Sequence, residues 1–271
     1  MENRVLNSSE PFVMGILNIT PDSFYDGGKY TTEKQWMQKA EQIVEEGGRV
    51  IDIGAISTRP GTEGISGKEE KERLMPAIKS IRKKFPDTNI SVDTYRSEIA
   101  KMAVDEGADI INDISGGTMD QKMFKTISEL KVPYVLMHIK GTPQNMQQNP
   151  DYDDVIEEVA TFFRNRILQL NELGFDDIIL DPGFGFGKSI SHNYRILRKL
   201  RSFSMMGYPV IAGLSRKSMI NRVLNISPDK ALNGTTILNT IALLNGAKIL
   251  RVHDVKEAVE AIALVSLATN A

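Results

Sequence analysis

Residues 90–112, ISVDTYRSEIAKMAVDEGADIIN, contain one full repeat of the pattern that decides the fold. A short, largely apolar run ends at Asp93, an amphipathic stretch over residues 97–106 has helical spacing, and a second apolar run ends at Asn112. Runs of this kind, without regular polar alternation, are typical of parallel strands that are buried on both faces. The repeat therefore predicts a strand, a crossover helix and a parallel neighbouring strand.

The same pattern occurs eight times along the 271 residues. From Asn18, which ends the first run, to Arg251, which ends the last, the runs end about every 33 residues, close to the roughly 31 residues of one unit in an eight-fold barrel. A doubly wound open sheet should carry GxGxxG after its first strand, where this chain has NITP at residues 18–21. The sequence therefore predicts an α/β protein, a single TIM (β/α)8 barrel domain over residues 1–271.

The overall composition narrows the class of protein. Hydrophobic residues make up 41% and charged residues 25%, which is an ordinary globular balance. The formal net charge of −2 gives no support to a nucleic-acid partner. The absence of cysteine excludes disulfides, thiol catalysis and cysteine-ligated zinc. Neither a signal peptide nor an apolar stretch of about 18 residues is visible, so we expect a cytoplasmic protein without a membrane partner.

Polar residues gather where the predicted strands end. In a TIM barrel the carboxyl ends of the strands and the loops that follow them build the active site. A single polar residue there often caps a helix, but caps do not account for polar residues after nearly every strand. The residues at these positions are Asn18, Asp52, Asp93, Asn112, His138, Asp181, Ser215, Lys217, Arg251 and His253.

One group of these residues is suited to an anion. Arg251 and His253, with Asn18 on the adjacent first strand, are expected to form a cationic, hydrogen-bonding corner. An arginine fork binds phosphate or diphosphate through paired donors. The Asn18 amide oxygen is suited to Mg²⁺, a hard ion that often shares its ligands with substrate phosphates.

A second group is suited to a flat ring. Asp93, Asn112 and Asp181 would direct acceptors and one amide into the barrel mouth, where a heterocycle with several N–H groups could bind. Lys217 could donate to a carbonyl of the same ring. Met137, which ends the fifth strand, is either barrel core or a stacking residue under the ring.

Two loop segments add weaker signals. The backbone N–H groups of residues 215–218, which lead into a helical stretch, are candidates to bind a carboxylate. The run GFGFGK at residues 183–188 lacks the Walker spacing of a phosphate loop. We expect it to be a flexible loop that presents Phe184 and Phe186 to a ring.

Several segments together resemble the dihydropteroate synthase family, and the resemblance covers nearly the whole chain. The matching segments are residues 18–24 (NITPDSF), 26–28 (DGG), 52–54 (DIG), 57–61 (STRPG), 91–96 (SVDTYR), 111–114 (INDI), 181–188 (DPGFGFGK), 213–217 (GLSRK) and 251–254 (RVHD). The resemblance implies a βα barrel that assembles as a homodimer. It also implies an enzyme that joins 6-hydroxymethyl-7,8-dihydropterin diphosphate to p-aminobenzoate with the help of Mg²⁺, by a dissociative displacement.

The resemblance also assigns residues to the substrates. The pterin positions are Asp93, Asn112, Met137, Asp181, Gly213, Lys217 and Arg251. The diphosphate positions are Asn18, Arg59, Arg251 and His253, with Asn18 also implied as a Mg²⁺ ligand. The p-aminobenzoate positions are Phe24, Thr58, Arg59, Pro60, Phe186, Ser215 and Lys217. The residues implied in catalysis are Asp93, Asp181, Lys217, Arg251 and His253.

The chain departs from the family at one point. The family commonly has Gly-Glu before the STRPG segment, whereas this chain has Ala55-Ile56. The loss of this carboxylate puts the contacts of the second loop in doubt. The loop at residues 183–187 shows no insertion of the kind found in drug-insensitive relatives, so we expect inhibition by sulfonamides.

Three other interpretations make different demands on the sequence. A pterin-binding methyltransferase domain that acts with a corrinoid protein should lack the STRPG and SRK elements, and both are present. A metal-dependent barrel hydrolase needs a His-x-His pair after the first strand, where this chain has Ile16-Leu17-Asn18. A non-enzymatic binding module would bind pterin without turnover, and only an assay separates it from an enzyme.

Overall fold

The computed structural model describes residues 10–19, 32–56, 64–148 and 150–270. Within these ranges eight parallel strands form one sheet in the order β6-β5-β4-β3-β2-β1-β8-β7. The strands are β1 (Phe12–Asn18), β2 (Val50–Gly54), β3 (Asn89–Asp93), β4 (Ile110–Asp113), β5 (Tyr134–Met137), β6 (Ile178–Asp181), β7 (Ile211–Ala212) and β8 (Ile249–Val252). A parallel bridge between Leu180 and Val210 joins β6 to β7 and closes the ring. The predicted TIM barrel is confirmed.

Helices follow the strands and pack around the outside of the barrel. They are α1 (Glu33–Glu45), α2 (Gly67–Lys84), α3 (Ser97–Asp105), α4 (Met123–Leu130), α5 (Val155–Glu172), α6 (Ile190–Arg198), α7 (Arg201–Ser204), α8 (Ser218–Leu224), α9 (Leu232–Leu244) and α10 (Val255–Asn270). Local capping explains several starts: Ser66 Oγ accepts from Glu69 N before α2, and Asp154 accepts from Ile156 N before α5. No described helix is long and apolar enough to span a membrane.

Strand alternation explains why the site is polar although the strands are apolar. Successive side chains of a strand point to opposite faces. The inner faces of the strands supply a compact core, made of Phe12, Met14, Val50, Ile110, Val135, Ile179, Ile211 and Ile249. The residue two places further along each strand also points inward, one layer nearer the carboxyl end. In this upper layer the barrel carries Asp52, Asn112, Met137, Asp181, Gly213 and Arg251.

The sheet register also places a row of inward-facing positions at the carboxyl ends of the first four strands. Asn18 pairs with Gly54, Gly54 with Asp93, and Asp93 with Asn112, so four inward positions form one row across β1 to β4. Met137 pairs with Asp181 on the opposite side. The fold therefore places these residues around one opening, although they are far apart in the sequence.

Candidate active site

A buried network centred on Asp52 forms the floor of the opening. Asp52 is fully buried and accepts hydrogen bonds from Ser91 Oγ at 2.6 Å, from Arg251 Nε at 2.6 Å and from Asn112 Nδ2 at 3.3 Å. Arg251 Nη2 also donates to Asp93 Oδ2 at 2.9 Å. Although burial opposes the charge of Arg251, the carboxylates of Asp52 and Asp93 raise its pKa. The guanidinium is therefore a fixed cation between two carboxylates.

This network adds to the sequence interpretation of Arg251. We expected Arg251 to form a corner with Asn18 and His253; its guanidinium pairs with Asp52 and Asp93, and its charge also acts on the His253 ring. In the sheet register Arg251 pairs with Met14 and Asp52 pairs with Ile16, so the long side chain of Arg251 extends along the inner face of β1 to reach Asp52. The sequence had given Asp52 no role, and its place two residues after the core residue Val50 was the available signal.

Asp93 and Asn112 lie at the edge of the floor. Burial raises the pKa of Asp93 to about 7, while Arg251 opposes this shift and Asp52 adds to it. Asn112 is 3% exposed, and its Oδ1 atom is buried without a hydrogen-bond partner among the described residues. Because buried acceptors are nearly always satisfied, this oxygen is suited to an N–H donor of a ligand.

Gly54 explains how Asn18 and Asp93 lie close to the same point. A Cβ atom added to Gly54 would lie 3.4 Å from Asn18 Oδ1 and 3.8 Å from Asp93 Oδ2. The missing side chain therefore leaves a space at Gly54 that both the Asn18 amide oxygen and the Asp93 carboxylate border. No group of three or more His, Cys, Asp or Glu suited to a metal ion occurs among the described residues. Two hard oxygens fit Mg²⁺ only as a partial ligand set that a phosphate substrate completes.

Asp181 and Lys217 form a second polar pair across the opening. Asp181 Oδ1 accepts from Gly183 N at 2.7 Å, and burial raises the pKa of Asp181 while Lys217 opposes the shift. Lys217 Nζ donates to Phe184 O at 2.6 Å and lies 4.8 Å from the centre of the Phe186 ring. Burial lowers the pKa of Lys217 to about 8, although Asp181 raises it.

Two glycines make room for this lysine. A Cβ atom on Gly185 would lie 3.4 Å from Lys217 Cδ, and one on Gly213 would lie 3.6 Å from Lys217 Nζ. Gly213 therefore belongs to the opening, as the resemblance implied, because it lets the ammonium reach past β7.

The loop of residues 183–187 differs from its prediction. Phe184 is fully buried in the main core, so only Phe186 remains beside the opening, and the expectation that both rings face a substrate is wrong for Phe184. Gly183, Gly185 and Gly187 all adopt positive φ angles of 68°, 82° and 61°. Glycine tolerates this conformation, and it gives the loop a tight, inward-folded path in place of the expected flexible one.

An apolar wall lies beside the second polar pair. Met137 is 2% exposed and packs with Ile114, Ile139 and Met146. Tyr95 and Phe186 pack against the same cluster. Met137 is therefore packed as barrel core, and its predicted stacking under a ring stays a prediction. Tyr95, Ile114 and Met146 escaped the sequence analysis because loop positions carry no periodicity.

Ser215 and His253 are in direct contact. Ser215 Oγ lies 3.0 Å from His253 Nδ1, and His253 N donates to Ser215 Oγ at 3.2 Å. Burial lowers the pKa of His253 to about 3, and the nearby Arg251 and Arg216 lower it further. His253 is therefore neutral at pH 7, and the positive charge of the predicted corner comes from the residues around it. One of them is Lys39, which is 8% exposed and donates from Nζ to His253 O at 3.2 Å.

Two of the N–H groups of the predicted carboxylate site on the backbone of residues 215–218 already donate hydrogen bonds within the protein. Arg216 N donates to Thr235 Oγ1 at 3.1 Å, and Lys217 N donates to Leu214 O at 3.2 Å. The Arg216 side chain is itself bound to Asp254 through two hydrogen bonds of 2.9 and 2.7 Å. These groups hold the loop in place, and they are not open to a ligand.

The remaining predicted residues either make other contacts or lie outside the residues that the structure describes. His138 directly follows β5, but its Nδ1 atom lies 2.9 Å from Lys188 Nζ and its ring packs edge-on against Phe162. The residues that resemble loop positions around p-aminobenzoate and diphosphate lie outside the described residues: Phe24, Thr58, Arg59 and Pro60.

Comparison with known proteins gives this opening a family. Residues 14–253 match the model of the pterin binding enzyme family. The chain is 42% identical over 268 residues to the dihydropteroate synthase of Escherichia coli strain K12, covering 98% of this chain and 94% of that protein.

Solved structures agree. The Yersinia pestis dihydropteroate synthase with a sulfonamide drug has a TM-score of 0.96 and 39% identity, covering 100% of this chain and 99% of that chain. The Coxiella burnetii dihydropteroate synthase in complex with pteroic acid has a TM-score of 0.89 and 38% identity, covering 96% and 94%. With its barrel, its polar opening and these relatives taken together, the chain belongs to the dihydropteroate synthase family of pterin-binding enzymes and is a transferase.

Proposed function

We propose that this enzyme joins 6-hydroxymethyl-7,8-dihydropterin diphosphate to p-aminobenzoate and releases 7,8-dihydropteroate and diphosphate. The observation that carries the proposal is the unpartnered Asn112 Oδ1 inside a ring of fixed donors and acceptors. The pteroic acid bound to the Coxiella burnetii relative contains both halves of the proposed product, which supports the same substrates here.

The polar floor is complementary to a pterin ring. Pterin presents an amino group and ring N–H groups on one edge and a carbonyl on the other. Asp93, Asn112 and Asp181 offer acceptors to the first edge, and Lys217 offers a donor to the carbonyl. Met137 and the Phe186 ring supply apolar surface for the faces of the ring. Water excluded from such a site strengthens each of these hydrogen bonds.

The proposed reaction depends more on stabilising the departing diphosphate than on a general base. In the proposed displacement the C–O bond to diphosphate breaks, the arylamine nitrogen bonds to the methylene carbon, and one arylamine proton passes to solvent. Negative charge develops on the diphosphate, and fixed donors that face developing charge lower such a barrier. We assign this task to neutral His253 as a hydrogen-bond donor, with Lys39 as the buried cation behind it.

Mg²⁺ fits the same region. Asn18 would hold it, with the Asp93 carboxylate close by and the diphosphate oxygens completing the ligand set. When bound, the ion would neutralise charge on the leaving group. The carboxylates of Asp93 and Asp181 lie on the pterin side, where they stabilise the cation-like methylene that a dissociative displacement leaves.

Release of diphosphate tests the proposal. Purified enzyme is mixed with the pterin diphosphate, Mg²⁺ and p-aminobenzoate, and free diphosphate and dihydropteroate are both measured. The proposal expects the two products to form together, and both to fall at least about a hundredfold in Asn112→Leu. Diphosphate release without dihydropteroate, or an active Asn112→Leu enzyme that folds normally, would reject it.

The same proposal includes a homodimer. Three neighbouring helices leave large apolar side chains exposed to solvent. The exposed residues are Val223 and Leu224 on α8, Ile237, Ile241 and Leu244 on α9, and Leu264 and Leu267 on α10. Elsewhere on α10, Val259 and Ile262 pack on the barrel, whereas Leu267 is exposed. A second copy that covers this face would bury the stripe.

A further inference from the structure

Lys188 is a buried ammonium whose contacts are all to neutral groups. Its side chain is 3% exposed, and Nζ lies 2.9 Å from His138 Nδ1, 2.9 Å from Phe186 O, 3.0 Å from Gly183 O and 3.2 Å from His138 O. No carboxylate of the described residues lies within ion-pair distance of it. A buried cation of this kind is costly, so its position calls for a functional reason.

The contacts of Lys188 join two loops. Two of its acceptors belong to the loop of residues 183–187 and two belong to His138 at the end of β5. The loop has three glycines with positive φ angles, and glycine loses more conformational freedom on ordering than other residues do. A Cβ atom on Gly183 would overlap the carbonyl oxygen of His138, so the loop lies directly against β5. The ammonium is therefore the clamp that holds this loop in its conformation.

The clamped loop orients both members of the second polar pair. Gly183 N donates to Asp181 Oδ1 at 2.7 Å, and Phe184 O accepts from Lys217 Nζ at 2.6 Å. The Phe186 ring lies beside the same ammonium. A shift of the loop would therefore move the Asp181 carboxylate, the Lys217 ammonium and the apolar ring together.

We propose that Lys188 is a positioning residue for the pterin site, which clamps the loop of residues 183–187 to β5 and so fixes Asp181 and Lys217. It touches no substrate in this account and acts through those two side chains. The inference rests on the proposed pterin site, and its test is chosen so that the two can fail separately.

The charges around Lys188 give the proposal a specific signature. The titratable groups that face it are His138 from the loop after β5, Asp181 from β6, Lys217 from the loop after β7 and His192 from α6. Burial lowers the pKa of His138 to about 2, so this ring is neutral and its Nδ1 atom accepts. Lys188 helps to lower the pKa of Asp181, against the larger effect of burial. Loss of Lys188 should therefore raise the pKa of Asp181.

The experiment measures binding of 6-hydroxymethylpterin by calorimetry from pH 5 to pH 8 in wild type, Lys188→Met, Lys188→Gln and Lys140→Met. The proposal expects Lys188→Met to weaken binding at least about tenfold and to move the acid limb of binding upward by about half a pH unit or more. Lys188→Gln, which keeps donors without charge, should recover part of the affinity and leave the limb displaced. Lys140→Met removes a partly exposed lysine of the β5 loop and should match wild type.

Each result decides the proposal. Wild-type protein that binds no pterin would reject the proposed function itself. A folded Lys188→Met protein with wild-type affinity and an unmoved acid limb would overturn the role of Lys188 and leave the proposed function intact.

If the Lys188 variants do not fold, wild-type protein provides the test through hydrogen exchange. Burial lowers the pKa of Lys188 to about 7. The backbone N–H groups of residues 183–188 should therefore lose protection between pH 6 and pH 8.5, after correction for intrinsic rates and relative to α5. Equal protection at both pH values would overturn the proposal.

Discussion

Arg251 Nε donates to Asp52 Oδ2 at 2.6 Å, although 199 residues separate the two in the chain. The contact joins the last strand to the second across β1, which lies between them in the sheet. It holds the guanidinium between carboxylates and keeps the Asn112 amide, which binds the same carboxylate, turned so that its oxygen stays free. The upper layer of the barrel is thus organised by Asp52, a residue that touches no substrate in our account.

Asp52→Asn should disrupt both stability and binding. The substitution leaves Arg251 with only Asp93, and loss of one partner from a buried ion pair lowers the free energy of unfolding by about 3 kcal/mol. Denaturant unfolding measures the change. Glu41→Gln, which breaks an exposed pair with Lys84, is the control and should cost less than about 1 kcal/mol. Equal effects from the two variants would contradict the organising role of Asp52.

Activity should fall as the pH rises through about 8, the pKa of Lys217. The ammonium form is the donor, and burial makes its proton easier to lose than in the unfolded chain. Between pH 8 and the ordinary value of 10.5 the unfolded chain holds more protons, so the contribution of Lys217 to the free energy of unfolding rises while activity declines. The dependence of kcat/KM for the pterin diphosphate on pH measures this fall in activity. Lys217→Arg, which stays charged, should be slower but lack it; an identical limb in that variant would assign the titration elsewhere.

His253 should work through a hydrogen bond and not through charge. Its pKa of about 3 keeps the ring neutral in the working range. His253→Gln, which retains a neutral donor, should lower kcat by less than about tenfold, whereas His253→Ala should lower it by about a hundredfold or more. Steady-state kinetics at saturating substrates separates the two. If the Gln and Ala variants are equally impaired, the hydrogen-bond account is wrong.

The exposed apolar face should set the oligomeric state. Leu264 and Leu267 are 69% and 71% exposed on α10, and introducing Glu at both positions should convert a dimer to a folded monomer. Sedimentation velocity measures the mass. Leu168→Glu, at a 59% exposed position on α5, should remain dimeric. A monomeric wild type, or a double variant that stays dimeric, would count against this interface.

Sulfonamides should inhibit by competing with p-aminobenzoate. The Yersinia pestis relative, 39% identical, binds a sulfonamide drug. Inhibition by sulfamethoxazole should raise KM for p-aminobenzoate and leave kcat unchanged. Enzyme that is unaffected at millimolar concentration would contradict the expectation and direct attention to Ala55-Ile56.

The sequence predicted the barrel because an apolar run and an amphipathic stretch repeat eight times at a regular spacing. It singled out Asp93, Asn112, Asp181 and Lys217 because they end strands or follow them closely. It could not predict that Arg251 pairs with Asp52, since this depends on the register of β2 and β8 against β1. It could not predict the neutral state of His253, which depends on burial. Lys188 was quoted only as the end of a glycine-rich motif, because nothing in the spacing shows which way a lysine turns.

The most direct test of the central claim is the identity of the product. Enzyme is incubated with the pterin diphosphate, Mg²⁺ and ring-labelled p-aminobenzoate. The labelled species are then separated and identified by mass spectrometry. Our account predicts labelled 7,8-dihydropteroate and one diphosphate per product. Folded enzyme that binds pterin but leaves all label in p-aminobenzoate would contradict it.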